Sequence, residues 1–231
     1  MIKTNFTRLF SNSGLNSAHM KSTILVLLFV LVGCGGSMSP APQPSVPRSG
    51  TVFLGDSIFI RWDLSSYFPG KGYINAGIGG QNTSQILARV SDTISGENVC
   101  SGDAGIINCQ TIAPPKTIVI YAGWNNVFQG TAPQDAISDI RKMASLCRSA
   151  GVLPIIVTVY HFDPAFTGGD PFDGRADAID IGIREVGADL GIPVIDLEQV
   201  FSGQSGYTLD GVHPISAGYS QMRDTFNLVL N

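Results

Sequence analysis

Basic residues are scarce in this 231-residue sequence: 14 Lys and Arg stand against 18 Asp and Glu, a formal net charge of −4. No basic patch and no interleaving of basic with aromatic side chains offers a footprint for a phosphate backbone, so nucleic acid is not an expected partner. Histidine is scarcer still, with three in the chain, and only His161 and His213 lie beyond the N-terminal segment. Any chemistry that needs an imidazole must use one of those two. The glycine patterns that grip nucleotide phosphates, G-x-G-x-x-G and G-x-x-x-x-G-K-[ST], are missing, as is the G-x-S-x-G elbow of α/β-hydrolases. No internal repeat is evident.

The apolar run Ile24 to Val32 is nine residues long and follows Lys21. It is too short to span a bilayer and suits the apolar region of a secretory signal. Met20-Lys21 makes an ordinary start for such a signal, which leaves residues 1–19 as an extension or the product of a misplaced initiation codon. Leu31-Val32-Gly33-Cys34 resembles the lipobox of bacterial lipoproteins, in which a peptidase cuts before the cysteine and acyl chains such as palmitate are attached to it. That resemblance implies lipidation of Cys34, export, and anchoring to the bacterial cell envelope. Outer-membrane placement, with a periplasmic or surface face, is the expectation. An uncleaved anchor or a plain secretory signal is the alternative. The Gly-, Ser- and Pro-rich residues 34–47 cannot bury enough apolar surface to fold and read as a tether. One domain follows, residues 48–231, long enough for one core and too short for two.

Cys100 and Cys109 bracket a polar, Gly-containing stretch inside the inserted residues 96–115. An exported protein can join them in a disulfide; metal binding is the weaker alternative, since no histidine or second close pair accompanies them. Cys147 falls in a helical pattern with Ile137, Ile140 and Ala144 and reads as a buried small side chain.

Strand-like apolar runs alternate with amphipathic helical ones along this domain. TVFLG, GYINAG, KTIVIYAG, LPIIVTVY and PVIDL are the strand candidates, and helical patterns cover residues 83–94, 133–149, 175–190 and 216–230. Near-continuous apolar strands separated by helices predict an α/β fold with a parallel sheet of about five strands covered on both faces. Such sheets place ligands beyond the carboxyl ends of their strands. Four polar segments fall at those positions: Gly55-Asp56-Ser57; the glycine-rich Asn75 to Thr83; Ala122 to Asn126; and Leu209 to Pro214, with Asp210 and His213 three residues apart. Singly, each has a bland reading: a turn, a tight backbone, a helix cap, a structural or partial metal pair. His213 is the better candidate base because an acid lies beside it.

Together and in this order, the four segments resemble the SGNH hydrolases, also called GDSL-like esterases, over essentially the whole domain. The resemblance implies a flavodoxin-like three-layer α/β/α sandwich and a serine-hydrolase site. By likeness, Ser57 is the nucleophile, His213 the general base and acid, and Asp210 the residue that orients it. The oxyanion hole is expected from the N–H groups of Ser57 and Gly80 and the side-chain amide of Asn125, with no metal and no cofactor. Asp56 reads as a brace of the turn. The third block departs from the family's usual Gly-x-Asn-Asp: Trp124 and Asn126 flank Asn125, and with His161 they are candidate pocket residues. GDSI with Trp62 nearby resembles the branch containing platelet-activating-factor acetylhydrolases and small-ester acetylesterases. That points to short-acyl esters of carbohydrate or lipid-like alcohols. A lysophospholipase or thioesterase, or a non-catalytic surface-binding lipoprotein, are the alternatives, and oligomeric state stays open.

Overall fold

The computed structural model describes residues 47–167, 172 and 174–231. The expected signal segment with Met20, the lipidation candidate Cys34, and the tether ahead of Pro47 lie outside the described residues. Among the described residues, no helix is long and apolar enough to cross a membrane.

In chain order the elements are β1 (Thr51–Gly55), α1 (Ser57–Ile60), α2 (Leu64–Tyr67), β2 (Ile74–Gly77), α3 (Thr83–Ala88) and α4 (Val90–Ser95). There follow β3 (Val99–Asp103), β4 (Ile106–Gln110), β5 (Thr117–Tyr121), α5 (Trp124–Phe128), α6 (Pro133–Ser149) and β6 (Leu153–Val157). The chain closes with α7 (Pro164–Thr167), α8 (Arg175–Leu190), β7 (Val194–Ile195), α9 (Leu197–Phe201) and α10 (Ser216–Leu230). Five strands form one sheet in the order β2-β1-β5-β6-β7, and every neighbouring pair is parallel. In β1, β5 and β6, four successive residues are buried. Successive side chains in a strand point to opposite faces, so both faces of the sheet are covered. This is the expected α/β architecture, flavodoxin-like in its strand order.

The order also locates the site. From β1 the chain moves to one side, to β2, and then crosses to β5 on the other, so the loops leaving β1 and β5 part at a switch point. Those loops carry Ser57 and Asn125.

Three elements differ from the sequence pattern. The fifth strand shrinks to two residues. The single helix expected over residues 83–94 is two helices that meet at Arg89, which ends α3 and begins α4. The break turns the Arg89 guanidinium inward, where Nη2 donates to the Gly55 carbonyl at 2.7 Å. The insertion is a β-hairpin: β3 and β4 pair antiparallel, with Cys100 opposite Cys109 and a disulfide joining them. Cys147 is buried, and burial pushes its thiol up to about 12.

Two devices fix the C-terminal segment against the sheet. Aromatic packing docks α10: Phe226 stacks on Phe53 of β1 at 5.6 Å, and Tyr219 stacks on Trp62 at 5.6 Å. The second is Asp163, buried in the loop after β6. Its carboxylate accepts from the N–H groups of Gly206, Tyr207 and Thr208, the Thr208 hydroxyl, and Ala165 N–H, at 2.9–3.2 Å. Its own N–H donates to Gly211 O at 2.9 Å. The chain that runs on to Asp210 and His213 is thus tied to the end of β6.

Burial raises the pKa of Asp163, but the N–H groups of Ala165, Gly206 and Thr208 and the Thr208 hydroxyl outweigh it and leave the carboxyl below its ordinary value. Stability contributed by a carboxylate depressed in this way is complete above about pH 4 and is lost as pH falls through the lower folded value. Replacing Asp163 with Ala leaves several buried donors without acceptors, so Asp163→Ala should unfold in urea with about 3 kcal/mol less stability at pH 7. The difference should narrow on acidification.

Candidate active site

Ser57 stands at the first position of α1, immediately after β1. The turn between them is tight: a Cβ on Gly55 would meet the Tyr121 carbonyl at 2.8 Å and the Phe59 ring at 2.9 Å. Asp56 caps the helix by accepting from Ile58 N–H at 3.0 Å. It is fully buried, and burial pushes its carboxyl up to about 7 despite the opposing Ile58 N–H and the charge of Arg89. Asp56 therefore braces the turn, while Ser57 faces elsewhere.

The direction Ser57 faces is His213. Ser57 Oγ lies 2.9 Å from His213 Nε2, and His213 Nδ1 lies 2.7 Å from Asp210 Oδ2. Partial burial raises the Asp210 pKa, but the N–H groups of His213 and Val212 and the His213 ring bring it below the ordinary value. An ionised carboxylate only accepts, so Nδ1–H donates to Asp210, leaving Nε2 to accept from the serine hydroxyl. The other Asp210 oxygen accepts from the backbone N–H of His213 at 2.8 Å, which fixes the carboxylate relative to the ring. Two tyrosines hold the backbone on either side of the contact. Tyr160 Oη donates to the Val212 carbonyl, and Tyr219 Oη donates to the Ile58 carbonyl at 3.1 Å.

The glycine-rich segment lies directly on α1. A Cβ on Gly77 would come within 2.4 Å of Ile60 N, so only glycine permits this approach. Asn75 clamps the same junction: its amide donates to the Phe59 and Trp62 carbonyls, and its oxygen accepts from Gly77 N–H at 2.9 Å. Gly80 follows with φ of +79°, and its missing Cβ would meet nothing within 4 Å. Neither the Gly80 nor the Ser57 N–H has an acceptor among the described residues.

Asn125, in the first turn of α5, donates through Nδ2 to the Gln81 carbonyl at 2.9 Å and to Asp56 Oδ2 at 3.3 Å. Both amide hydrogens therefore have protein acceptors. The contact to Asp56 is the longer of the two.

The three residues expected at the pocket wall are placed differently. Asn126 is buried and caps α3, accepting from Thr83 N–H at 2.9 Å and donating to Thr83 Oγ1 at 3.0 Å. Trp124 is also buried, stacked on Phe128 at 5.5 Å and edge-on to Tyr160 and Phe162. His161 uses both ring nitrogens on carboxylates, Nε2 with Glu198 at 2.7 Å and Nδ1 with Asp177 at 3.2 Å. Among the described residues, His161 borders one concavity with Phe162, Phe201 and Gln204 and another with Asp177, Arg184 and Glu198. Packing against the helices, which residue type does not reveal, decides all three.

Sequence reasoning passed over Arg89, Asp163 and the hydroxyls of Tyr160 and Tyr219. Only a broken helical pattern could have hinted at Arg89. The others carry no local signal. Among the described residues no cluster of His, Cys, Asp and Glu is arranged to hold a metal ion.

None of the curated proteins matches this sequence significantly. Solved structures do resemble the fold. A GDSL-like lipase from Bacteroides thetaiotaomicron VPI-5482 is 24% identical with a TM-score of 0.64, over 79% of this chain and 87% of that one. An acetyl xylan esterase gives 18% identity and a TM-score of 0.63, over 79% and 100% of the respective chains. The lipase/acylhydrolase from Enterococcus faecalis gives 21% and 0.57, over 77% and 93%. Sequence comparison with families matches residues 53–221, from within β1 into α10, to the GDSL-like lipase/acylhydrolase family. That span takes in all four polar segments, and this chain belongs to that family of ester-hydrolysing enzymes.

Proposed function

We propose that this chain is a serine esterase that cleaves short-acyl esters, acetyl groups above all, from carbohydrate or small lipid-like alcohols through an acyl-enzyme. The observation that carries the reading is the unbroken chain Ser57 Oγ, His213, Asp210, with contacts of 2.9 and 2.7 Å. His213 takes the hydroxyl proton as Ser57 attacks the ester carbonyl and returns it to the leaving alcohol. Asp210 holds the ring in the required tautomer and stabilises its cation. The N–H groups of Ser57 and Gly80 meet the charge that develops on the carbonyl oxygen, joined by the Asn125 amide as it swings from Asp56. Water then repeats the sequence on the acyl group. The short-acyl preference draws support from the sequence likeness around GDSI and Trp62, and from an acetyl xylan esterase among the similar folds.

A fluorophosphonate probe should label the purified protein, and Ser57→Ala should abolish both labelling and turnover. With nitrophenyl esters, acetate and butyrate should be cleaved in preference to long chains; the reverse order would overturn the short-acyl reading, and an unlabelled, folded parent the serine-hydrolase reading. Asn125→Ala removes one oxyanion donor and should lower kcat by about a hundredfold, near 3 kcal/mol. The lipobox-like sequence at Cys34 supports an exported, lipid-anchored enzyme. Cells fed labelled palmitate should label the parent and not Cys34→Ser.

A further inference from the structure

In the hairpin β3–β4, β3 buries Val99 and Gly102, whereas all five residues of β4 are exposed, including Ile106 at 72%. A two-stranded hairpin in water is marginally stable. The cross-link between the directly paired Cys100 and Cys109 adds a covalent tie to the little that β3 buries.

It grips three parts of the site. Gly102 of β3 pairs with Ile78, and its carbonyl accepts from Gly79 N–H at 2.9 Å. Next along, Asp103 packs on Gly79 so closely that a Cβ there would lie 2.1 Å from Oδ1. Arg61, which ends the helix begun by Ser57, donates through Nε to Asp103 Oδ2 at 2.9 Å. The third grip runs through Arg89. Its Nη1 donates to the Cys100 carbonyl at 3.4 Å, while Nη2 holds Gly55 O and Nε holds the Gln81 side chain, both at 2.7 Å. The Gln81 carbonyl in turn accepts from Asn125.

Gly79-Gly80 is the most permissive backbone in the site, and the direction of the Gly80 N–H depends on how Gly79 is held. Besides the hairpin, the bonds Ile78 N–H to Gly55 O at 3.0 Å, Gln81 N–H to Ile78 O at 3.4 Å and Asn125 Nδ2–H to Gln81 O at 2.9 Å constrain this turn. At Gly79 itself the restraint comes from the hairpin, through the Gly102 carbonyl and the Asp103 side chain. We propose that the disulfide-tied hairpin is the positioning element for the Gly80 oxyanion donor, so that turnover depends on the Cys100–Cys109 bond. Donors fixed before reaction need no reordering in the transition state, and a wandering Gly80 would forfeit that advantage. The proposal rests on the serine-esterase reading above.

The test uses the purified protein and an acetyl nitrophenyl ester. The double variant Cys100→Ser/Cys109→Ser should lose at least about tenfold in kcat, a fraction of the loss expected for a donor removed outright. KM should stay within about twofold, and the acid limb of the pH–rate profile should not move. Gly79→Ala, whose methyl collides with Asp103, should show the same pattern with the disulfide intact. Full kcat in the double variant overturns the proposal, and so does a loss carried by KM or by a displaced acid limb. If the double variant does not fold, the parent reduced by a phosphine is read at a temperature where its circular dichroism is unchanged. Unaltered turnover then overturns the proposal, and a loss reversed by reoxidation supports it. A disulfide-bonded parent that neither turns over nor takes the fluorophosphonate defeats the esterase reading itself, and this inference with it.

Discussion

The contact between Ser57 and His213 joins residues 156 positions apart, and nothing in either neighbourhood can produce it. It exists because the segment bearing Asp210 and His213 is fastened to the end of β6 by one buried carboxylate. Asp163 gathers three consecutive N–H groups, a hydroxyl and a neighbouring N–H, an arrangement that fixes both position and orientation of residues 206–208. The hydroxyls of Tyr160 and Tyr219 finish the alignment by holding carbonyls next to His213 and Ser57. A site whose members come from opposite ends of a domain needs such fasteners, because 1 Å of slack between nucleophile and base is costly in rate.

A second buried pair governs the other half of the site. Asp56 and Arg89 lie deep beneath the turn, and burial shifts each toward its neutral form, Asp56 up to about 7 and Arg89 down to about 10. Their attraction and their bonds to Ile58 N–H, Gly55 O and the Gln81 side chain offset that burial cost. Removing one partner would strand the other, the situation that makes buried pairs hard to dismantle. Asp56 also touches the Asn125 amide, so the group that caps the helix of Ser57 sets the resting orientation of a candidate oxyanion donor.

Much of the fold was legible because its signals are local. Runs such as TVFLG and TIVIY could only be buried strands, and the helical patterns over residues 133–149, 175–190 and 216–230 match α6, α8 and α10. Ser57, Asp210 and His213, which the structure joins by hydrogen bonds, stood out because few residue types offer this chemistry and their order resembles a known family. What could not be read depends on distant partners. Arg89 breaks a good helical pattern to reach a strand 34 residues away, and Asp163 works on a loop more than 40 residues downstream. Trp124 and Asn126 looked like pocket residues by position, yet neighbouring elements bury both. Residues 96–115 gave no strand signal because β4 is exposed throughout and presents no alternation to read, while of β3 only Val99 reaches the apolar core.

The placement of that hairpin bears on how copies of the molecule meet one another. An open sheet ends in two strands with unpaired backbone groups, each a template on which another chain could add itself. Here β7 offers only two residues, too few to seed such growth. At the opposite side, the backbone just past β2 is already engaged by β3, through Ile78 and Gly79. β2 itself remains an edge over Ile74–Gly77, and the separate two-stranded sheet ends in β4, five residues long and covalently fastened to its neighbour. A short strand that its disulfide keeps from peeling away is a poor template for a further chain.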